Sequence, residues 1–271
     1  MVRTSRRDFL KSTALGIAAT TLGASETRAR PFSLGLASYT FKEFSLADTI
    51  SMAKRVGLEK IALKSVHLPL ESGQVDITAA CEKIKSAGLD LYGCGVIYMT
   101  NEHEVEEAFN YARTAKIRII IGVPDPDLLE LVNRKVQEYD IKLAIHNHGP
   151  EDKLYPTPES AYERVESLDQ RVGLCLDIGH AKRSGIDPAA AARRFAARLL
   201  EVHLKDVSAA TKEGQTVEVG RGVINIPEFA RAIIQTHYQG TLAFEHEKDP
   251  LDPLPGLAES VGYFRGVLAA I

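Results

Sequence analysis

Four short apolar runs in the C-terminal half of the chain each end in residues that bind metals. These residues include His146, Asp177, His203 and Glu245, one from each run. A single histidine after an apolar run carries little information, because buried polar side chains are often satisfied by hydrogen bonds alone. Four consecutive runs that end in imidazoles or carboxylates predict a shared site. The expected cofactor is one divalent ion, with Mn²⁺, Co²⁺, Fe²⁺, Zn²⁺ and Mg²⁺ as the alternatives.

A second set of polar residues follows the predicted ligands by two or three positions. Its members are His148, His180, Lys205 and Glu247. Strand side chains alternate between faces, so a residue two positions beyond a ligand points the same way. These residues are the candidate catalytic groups, since proton transfer near neutral pH needs His, or a Lys or Glu with a shifted pKa. The alternative is support of the ligands by hydrogen bonds.

Two further residues are candidates for binding a substrate. His67 closes the region of the second predicted strand, and Arg221 lies between two glycines in a long loop. The glycines permit close backbone approach, and a guanidinium grips oxygen atoms well. A solvated loop arginine is the alternative for Arg221. Asp206 faces away from Lys205 and is interpreted as a structural ion-pair partner.

Composition narrows the class of protein. The 271 residues are 45% hydrophobic and 25% charged, with a net charge of −3. This balance is typical of a globular domain with a substantial core. The mild acidity argues against nucleic acid as a partner, because phosphate binding needs a basic face. The three cysteines are too few and too irregularly spaced to indicate a disulfide framework.

The N-terminus reads as a targeting segment. Residues 5–11, Ser-Arg-Arg-Asp-Phe-Leu-Lys, precede a weakly apolar stretch. The segment 1–29 resembles a twin-arginine export signal, with a basic amphipathic helix as the alternative. The resemblance implies the twin-arginine export machinery as a partner and a periplasmic or secreted enzyme. The apolar stretch is too short for a membrane span, so no stable membrane anchor is expected.

Residues 30–271 alternate short apolar runs with amphipathic ones. Strands are predicted at 33–40, 60–63, 89–97, 117–122, 141–146, 172–177, 201–204 and 241–245. Helices are predicted near 45–56, 76–87, 102–115, 126–138, 157–167, 187–198, 226–237 and 257–270. Eight strand–helix pairs predict a single (β/α)8 TIM barrel with its active site at the C-terminal strand ends. An open doubly wound sheet would want a glycine-rich turn after the first strand, and 36–40 lacks one.

Four short motifs resemble those of a known superfamily. They are Leu-Asp-Ile-Gly-His at 176–180, Val-His-Leu-Lys-Asp at 202–206, Gly-Arg-Gly at 220–222 and Phe-Glu-His-Glu-Lys-Asp at 244–249. The chain from residue 30 onward is similar to the xylose-isomerase-like barrels. These include sugar-phosphate isomerases and epimerases, tagatose 3-epimerase, inosose dehydratase and endonuclease IV.

The resemblance implies a role for each matching residue. In the epimerases a Glu, an Asp, a His and a Glu on strands five to eight hold the metal, and the last three correspond to Asp177, His203 and Glu245. His180 corresponds to a substrate contact. The strand-five glutamate should fall at position 146, where this chain has His146. The run Ile-His-Asn-His-Gly at 145–149 instead resembles strand five of inosose dehydratase.

The resulting expectation is a metal-dependent enzyme that removes a proton next to the carbonyl of a sugar. The favoured reaction is β-elimination on a 3-keto-sugar or 3-keto-glycoside, by a lyase or dehydratase. The first alternative is an isomerase or epimerase that uses an enediolate. A non-catalytic periplasmic sugar-binding protein is a distant alternative, and endonuclease activity is disfavoured by charge. A small sugar is the expected partner, and a homo-oligomer is compatible with the sequence.

Overall fold

The computed structural model describes residues 31–271, so the export signal predicted for 1–29 lies outside the described residues and stays a prediction. Eight parallel strands close into one barrel. They are β1 (Ser33–Ala37), β2 (Lys60–Leu63), β3 (Asp90–Met99), β4 (Ile119–Pro124), β5 (Lys142–His146), β6 (Val172–Asp177), β7 (Leu199–Leu204) and β10 (Thr241–Phe244). The predicted single (β/α)8 barrel is therefore confirmed.

Helices follow the strands along the chain. They are α1 (Leu46–Arg55), α2 (Gln74–Ser86), α3 (Glu102–Thr114), α4 (Leu129–Tyr139), α5 (Pro158–Val165), α6 (Ile178–Arg183), α7 (Pro188–Arg194), α8 (Ile226–Gln235) and α9 (Leu254–Ala270). Several begin at side-chain caps that satisfy free N–H groups of the first turn, as Ser45, Thr157 and Asp187 do. None of the helices in the described part of the chain has the length and apolar character needed to cross a bilayer.

The structure contains elements that the sequence did not predict, and one predicted strand is shorter. A short helix, α6, follows β6 directly, and the long loop after β7 contains a small hairpin of β8 (Asp206–Val207) and β9 (Thr216–Val217). The first strand ends at Ala37 and turns into a 3-10 helix instead of continuing to residue 40. Each difference involves a segment of two to six residues, too short to show a period in the sequence.

The order of strands around the barrel decides which side chains can meet. Reading around the ring, the order is β1, β10, β7, β6, β5, β4, β3 and β2. The four strands that carry the predicted metal ligands, β5, β6, β7 and β10, are therefore consecutive neighbours. Because all the strands are parallel, their carboxyl ends lie at one end of the barrel. The half of the ring formed by β1 to β4 faces them.

A buried polar pair occupies the barrel interior below the ligand level. The Tyr92 hydroxyl donates to Glu201 Oε1 over 2.6 Å, and Glu201 is 1% exposed. Burial raises the pKa of Glu201 to about 8, although the Tyr92 hydrogen bond, His203 and Lys60 oppose the shift. The carboxyl group is therefore protonated in the folded protein at neutral pH, where it is ionised in the unfolded chain.

This shift predicts that folding stability falls as the pH rises. Between the ordinary pKa of 4.5 and the folded value of about 8, the folded protein holds a proton that the unfolded chain has lost. The cost is about 1.4 kcal/mol per pH unit within that window. Glu201→Gln removes the titration, so the variant should gain stability relative to wild type as the pH rises. Urea unfolding of metal-free protein at several pH values measures this difference, with the exposed Glu82→Gln as control. The prediction would be contradicted if the free energy of unfolding changed with pH in the same way for Glu201→Gln and for wild type.

Candidate metal centre and active site

The four predicted ligands converge at the C-terminal end of the barrel. His146 ends β5, Asp177 ends β6, His203 lies in β7 and Glu245 directly follows β10. They form a buried group in which each residue offers a ligand atom, with all four atoms within 4.8 Å of one another. His146, Cys175 and His203 form an overlapping group at the same spacing. Cys175 is buried in the barrel interior.

Unused hydrogen-bonding atoms in this group test its fitness for a metal. Within residues 31–271, no hydrogen bond is made by either ring nitrogen of His146, by Asp177 Oδ2 or by His203 Nε2. Buried polar atoms normally have partners, because desolvation without one is costly. A set of two imidazoles and two carboxylates is also a suitable donor set for a divalent ion. The residues present therefore fit a metal.

Asp177 is oriented by its own strand end and by a neighbour. Its Oδ1 accepts the backbone N–H of His180 at 2.8 Å and so caps α6. Asn147, which is 1% exposed, bonds the backbone of Asp177 twice, at 3.0 and 3.1 Å. Asn147 was not predicted as a site residue, although it lies directly between two of the predicted site histidines. These contacts leave Asp177 Oδ2 directed at the group of ligands, 3.5 Å from His146 Nε2.

Lys205 is the countercharge of the site. Its ammonium lies 3.2 Å from Asp177 Oδ2 and 2.9 Å from Glu245 Oε2, and it donates a further hydrogen bond to Glu247. Burial would lower the pKa of Lys205, but the three carboxylates hold it well above its ordinary value. A lysine held as a cation cannot take a proton, so the structure does not support the prediction that Lys205 is the catalytic base.

The same ion pairs keep the ligand carboxylates ionised. Burial would raise the pKa of both Asp177 and Glu245, but Lys205, followed by His180 for Asp177 and by His203 for Glu245, holds both well below the ordinary range. Burial would also lower the pKa of His203, yet Cys175 and Glu245 hold it well above 6.5. Metal binding must therefore displace a proton from His203 and is favoured by higher pH.

Two histidines are held neutral by burial. Burial lowers the pKa of His146 to about 4, against the opposing effect of Asp177. It also lowers the pKa of His180 to about 2, although Asp177 again opposes the shift. A neutral His146 offers a lone pair to a metal. A neutral His180 is a poor proton acceptor but can donate or accept a hydrogen bond, which agrees with a substrate contact better than with a base.

A cavity of about 250 Å³ opens beside this group. Its walls are formed by Tyr39, Lys64, Val96, Tyr98, His146, His148, Glu245 and Glu247. Of the predicted catalytic residues, His148 and Glu247 line it directly. The Tyr98 hydroxyl and His148 Nδ1 are hydrogen-bonded, which orients the imidazole. Tyr39, Lys64 and Tyr98 were not predicted, although Lys64 follows its strand end as the other site residues do.

The structure does not bring His67 or Arg221 to the cavity wall. His67 is buried, with Nδ1 bonded to Ser38 at 2.9 Å and Nε2 within 3.0 Å of both Thr49 and the Phe41 carbonyl. Both ring nitrogens are thus engaged, and the residue ties the loops after β1 and β2 together. Arg221 is exposed and forms an ion pair with Glu259. The structure thus gives no support to His67 or Arg221 as a substrate contact, and both roles stay predictions.

Among residues 31–271 Asp206 forms no ion pair, contrary to the sequence interpretation. Its carboxylate accepts backbone N–H groups of Val207, Gly220, Gly222 and Ile224 over 2.9–3.2 Å. A side chain at Gly222 would place its Cβ 2.2 Å from Asp206 Oδ1. The Gly-Arg-Gly sequence is therefore explained by the anchoring of this loop on Asp206.

The fold is that of a TIM barrel, and its buried group of two histidines, an aspartate and a glutamate could hold a metal ion. Residues 127–267 match the family described as xylose isomerase-like TIM barrel. Since the match spans more than half of the chain, the protein belongs to this family.

Curated relatives match part of the sequence, and two of them are described below. The rhizopine catabolism protein MocC of Rhizobium meliloti is 30% identical over 151 residues, which are 50% of this chain and 46% of that protein. Inosose dehydratase of Geobacillus kaustophilus is 33% identical over 131 residues, 42% of either chain. The chain spans about half the length of the curated relatives it matches.

Solved structures agree with the fold. The zinc-binding IolI protein superposes with a TM-score of 0.73 at 17% identity, covering 88% of this chain and 99% of that one. The 3-keto-D-glucoside 4-epimerase YcjR from E. coli gives 0.71 at 14% identity, covering 87% and 99%. At these identities the likeness shows the fold alone.

Proposed function

We propose that the protein is a divalent-metal-dependent keto-sugar lyase that acts by β-elimination on a 3-keto-sugar or 3-keto-glycoside. His146, Asp177, His203 and Glu245 would hold the ion. When bound there, a divalent ion supplies Lewis acidity towards a ketone oxygen and an adjacent hydroxyl. Proton abstraction next to a ketone needs such stabilisation, because negative charge develops on the oxygen as the proton leaves.

The observation that carries the proposal is His146 at the end of β5. Barrels of the epimerase type place a ligand glutamate there, opposite a second one, so that each face of the substrate meets a carboxylate. This chain has a neutral, buried imidazole at that position instead. The two ligand carboxylates whose pKa is held low, Asp177 and Glu245, lie at the end of β6 and directly after β10. Elimination needs only one base and one acid. Epimerisation by two opposed carboxylates needs a second carboxylate, and position 146 holds a histidine instead.

The residues in and next to the cavity wall would then have different roles in the reaction. Glu247 and His148 line the cavity and are the candidate bases for the proton next to the ketone. His180, neutral and next to Asp177, would bind a sugar oxygen. Lys205 keeps Glu245 and Glu247 in place as a countercharge. A cavity of about 250 Å³ is below the ~300–1,000 Å³ of drug-sized pockets and suits one monosaccharide unit.

The relatives support the same chemistry. Inosose dehydratases match this chain in sequence, and a dehydratase of this kind eliminates water beside a ketone. A 3-keto-D-glucoside epimerase has the same fold. Both substrates are ketones of cyclic polyols, which share the carbonyl and neighbouring hydroxyls that the proposed site would bind.

Incubation of metal-loaded protein with 3-keto-glucosides and with free ketoses tests the proposal. Release of the aglycone together with an unsaturated keto-sugar is the expected result, and chelator treatment should abolish it until Mn²⁺, Co²⁺ or Zn²⁺ is restored. Formation of an isomeric sugar alone would assign the protein to the isomerases and epimerases. Product analysis by mass spectrometry and NMR separates the two outcomes.

A further inference from the structure

We propose that Lys64 is a catalytic residue that donates a proton to the oxygen that leaves the sugar. The inference rests on the proposed elimination and supplies the acid that this reaction needs. Lys64 directly follows β2 and lines the cavity together with His146 and Glu245.

Lys64 faces the metal-ligand group from across the barrel. In the ring of eight strands, β2 and β6 are four strands apart in either direction, so they lie diametrically opposite. Asp177 ends β6 and His180 lies in α6 directly after it, while Lys64 follows β2. A sugar held between the two halves is thus reached by the predicted ligands on one side and by Lys64 on the other. The candidate bases also follow other strands than Lys64 does: Glu247 follows β10, two strands from β2, and His148 follows β5, three strands from β2. The group that takes a proton is therefore separate from the group that gives one.

The ammonium of Lys64 is available to a ligand. Its backbone N–H donates to Ser38 Oγ at 2.8 Å, which fixes the start of the side chain. The ammonium donates to the Val96 carbonyl and lies 5.8 Å from the centre of the Tyr39 ring. Within the described residues 31–271 it forms no ion pair, whereas Lys205 contacts three carboxylates. Lys64 therefore has donor capacity left for a substrate oxygen.

Its surroundings also favour the release of a proton. Burial lowers the pKa of Lys64, and Glu245 only partly opposes this. A lysine with a lowered pKa is a stronger acid than one in water. The other candidate donors are less well placed: both nitrogens of His67 are engaged, and the His148 ring lies 5.1 Å from that of His146, within the ligand half of the site.

The proposed step balances. The base takes the proton from C2 of a 3-keto-glycoside, and the electron pair of that C–H bond forms the C1=C2 double bond. The bond between C1 and the glycosidic oxygen breaks, and its electron pair stays on the oxygen. This oxygen takes a proton from the Lys64 ammonium, so the products are an unsaturated keto-sugar and an alcohol. The proton held by the base returns to Lys64 through solvent.

A pair of substrates with different leaving groups tests the role of Lys64. Methyl 3-keto-glucoside must have its leaving oxygen protonated, whereas 4-nitrophenyl 3-keto-glucoside releases a stable phenolate. Lys64→Met should lower kcat on the methyl substrate by about 100-fold or more and change kcat on the nitrophenyl substrate by less than about 5-fold. Lys64→Arg keeps the charge but gives up no proton, so it should behave like Lys64→Met. Lys85→Met, an exposed lysine on α2, is the matched control.

Each outcome of this experiment is decisive. Equal losses of kcat on both substrates, or recovery of the methyl substrate by Lys64→Arg, overturn the assignment while leaving the proposed function intact. If wild-type protein loaded with metal eliminates neither leaving group, the proposed function fails and the assignment of Lys64 falls with it. Metal content and melting temperature of each variant, measured alongside, should equal those of wild type.

Discussion

Asp177→Asn is expected to remove the bound metal and the activity with it. Asparagine keeps the shape of the side chain and an oxygen that can still accept the His180 N–H, so α6 remains capped. The negative charge and the free carboxylate oxygen directed at His146 are lost. Because substitutions that only support a ligand cost 10–100-fold in affinity, loss of a ligand should cost roughly 100-fold or more. The corresponding loss in kcat is about 10³-fold.

Metal analysis and titration with Mn²⁺, Co²⁺ and Zn²⁺ measure this loss directly. Asp187→Asn is a matched control, because Asp187 caps α7 by the same contact, to Ala190 N–H at 2.8 Å, and contributes nothing to the cavity wall. An Asp177→Asn protein that keeps a full equivalent of metal would show that the buried group is not the binding site.

Lys205→Met is expected to destabilise the metal-free protein strongly and the metal-loaded protein much less. Without its ammonium, the carboxylates of Asp177, Glu245 and Glu247 lose their shared cation. Removing one partner of a buried ion pair costs about 3–5 kcal/mol. For a domain of this size that lowers Tm by about 6–20 °C. A bound divalent ion supplies positive charge to Asp177 and Glu245, so the difference from wild type should shrink when metal is present.

Thermal unfolding with chelator and with saturating metal tests this coupling. Lys85→Met removes an exposed lysine and is the control for the loss of a charge. Its melting temperature should equal that of wild type in both conditions. If metal-free Lys205→Met is as stable as wild type, Lys205 is not the countercharge of these carboxylates. If metal leaves the difference unchanged, the ion binds elsewhere.

The architecture and the ligand group could be predicted from the sequence alone. Alternating strand and helix periods specify a closed parallel barrel, because eight such units bury their apolar faces in that way. The parallel arrangement then places every strand's carboxyl end at one rim. For this reason His146, Asp177, His203 and Glu245 could be grouped from their positions after apolar runs alone.

The side chains that surround this group could not be predicted, because they depend on how the barrel folds. A strand end indicates a rim but does not reveal which neighbours a side chain meets. His67 lies near a strand end, yet its two ring nitrogens are engaged by hydrogen bonds with Ser38, Thr49 and Phe41. Lys205 is held as a cation, and so cannot act as a base, by carboxylates from β6 and from the segment after β10. These carboxylates are 28 to 42 residues away in the chain. Lys64 faces the ligands only because ring closure sets β2 opposite β6. The charge state and the contacts of each side chain depend on how close segments far apart in the chain come in space. Local sequence patterns do not reveal those distances.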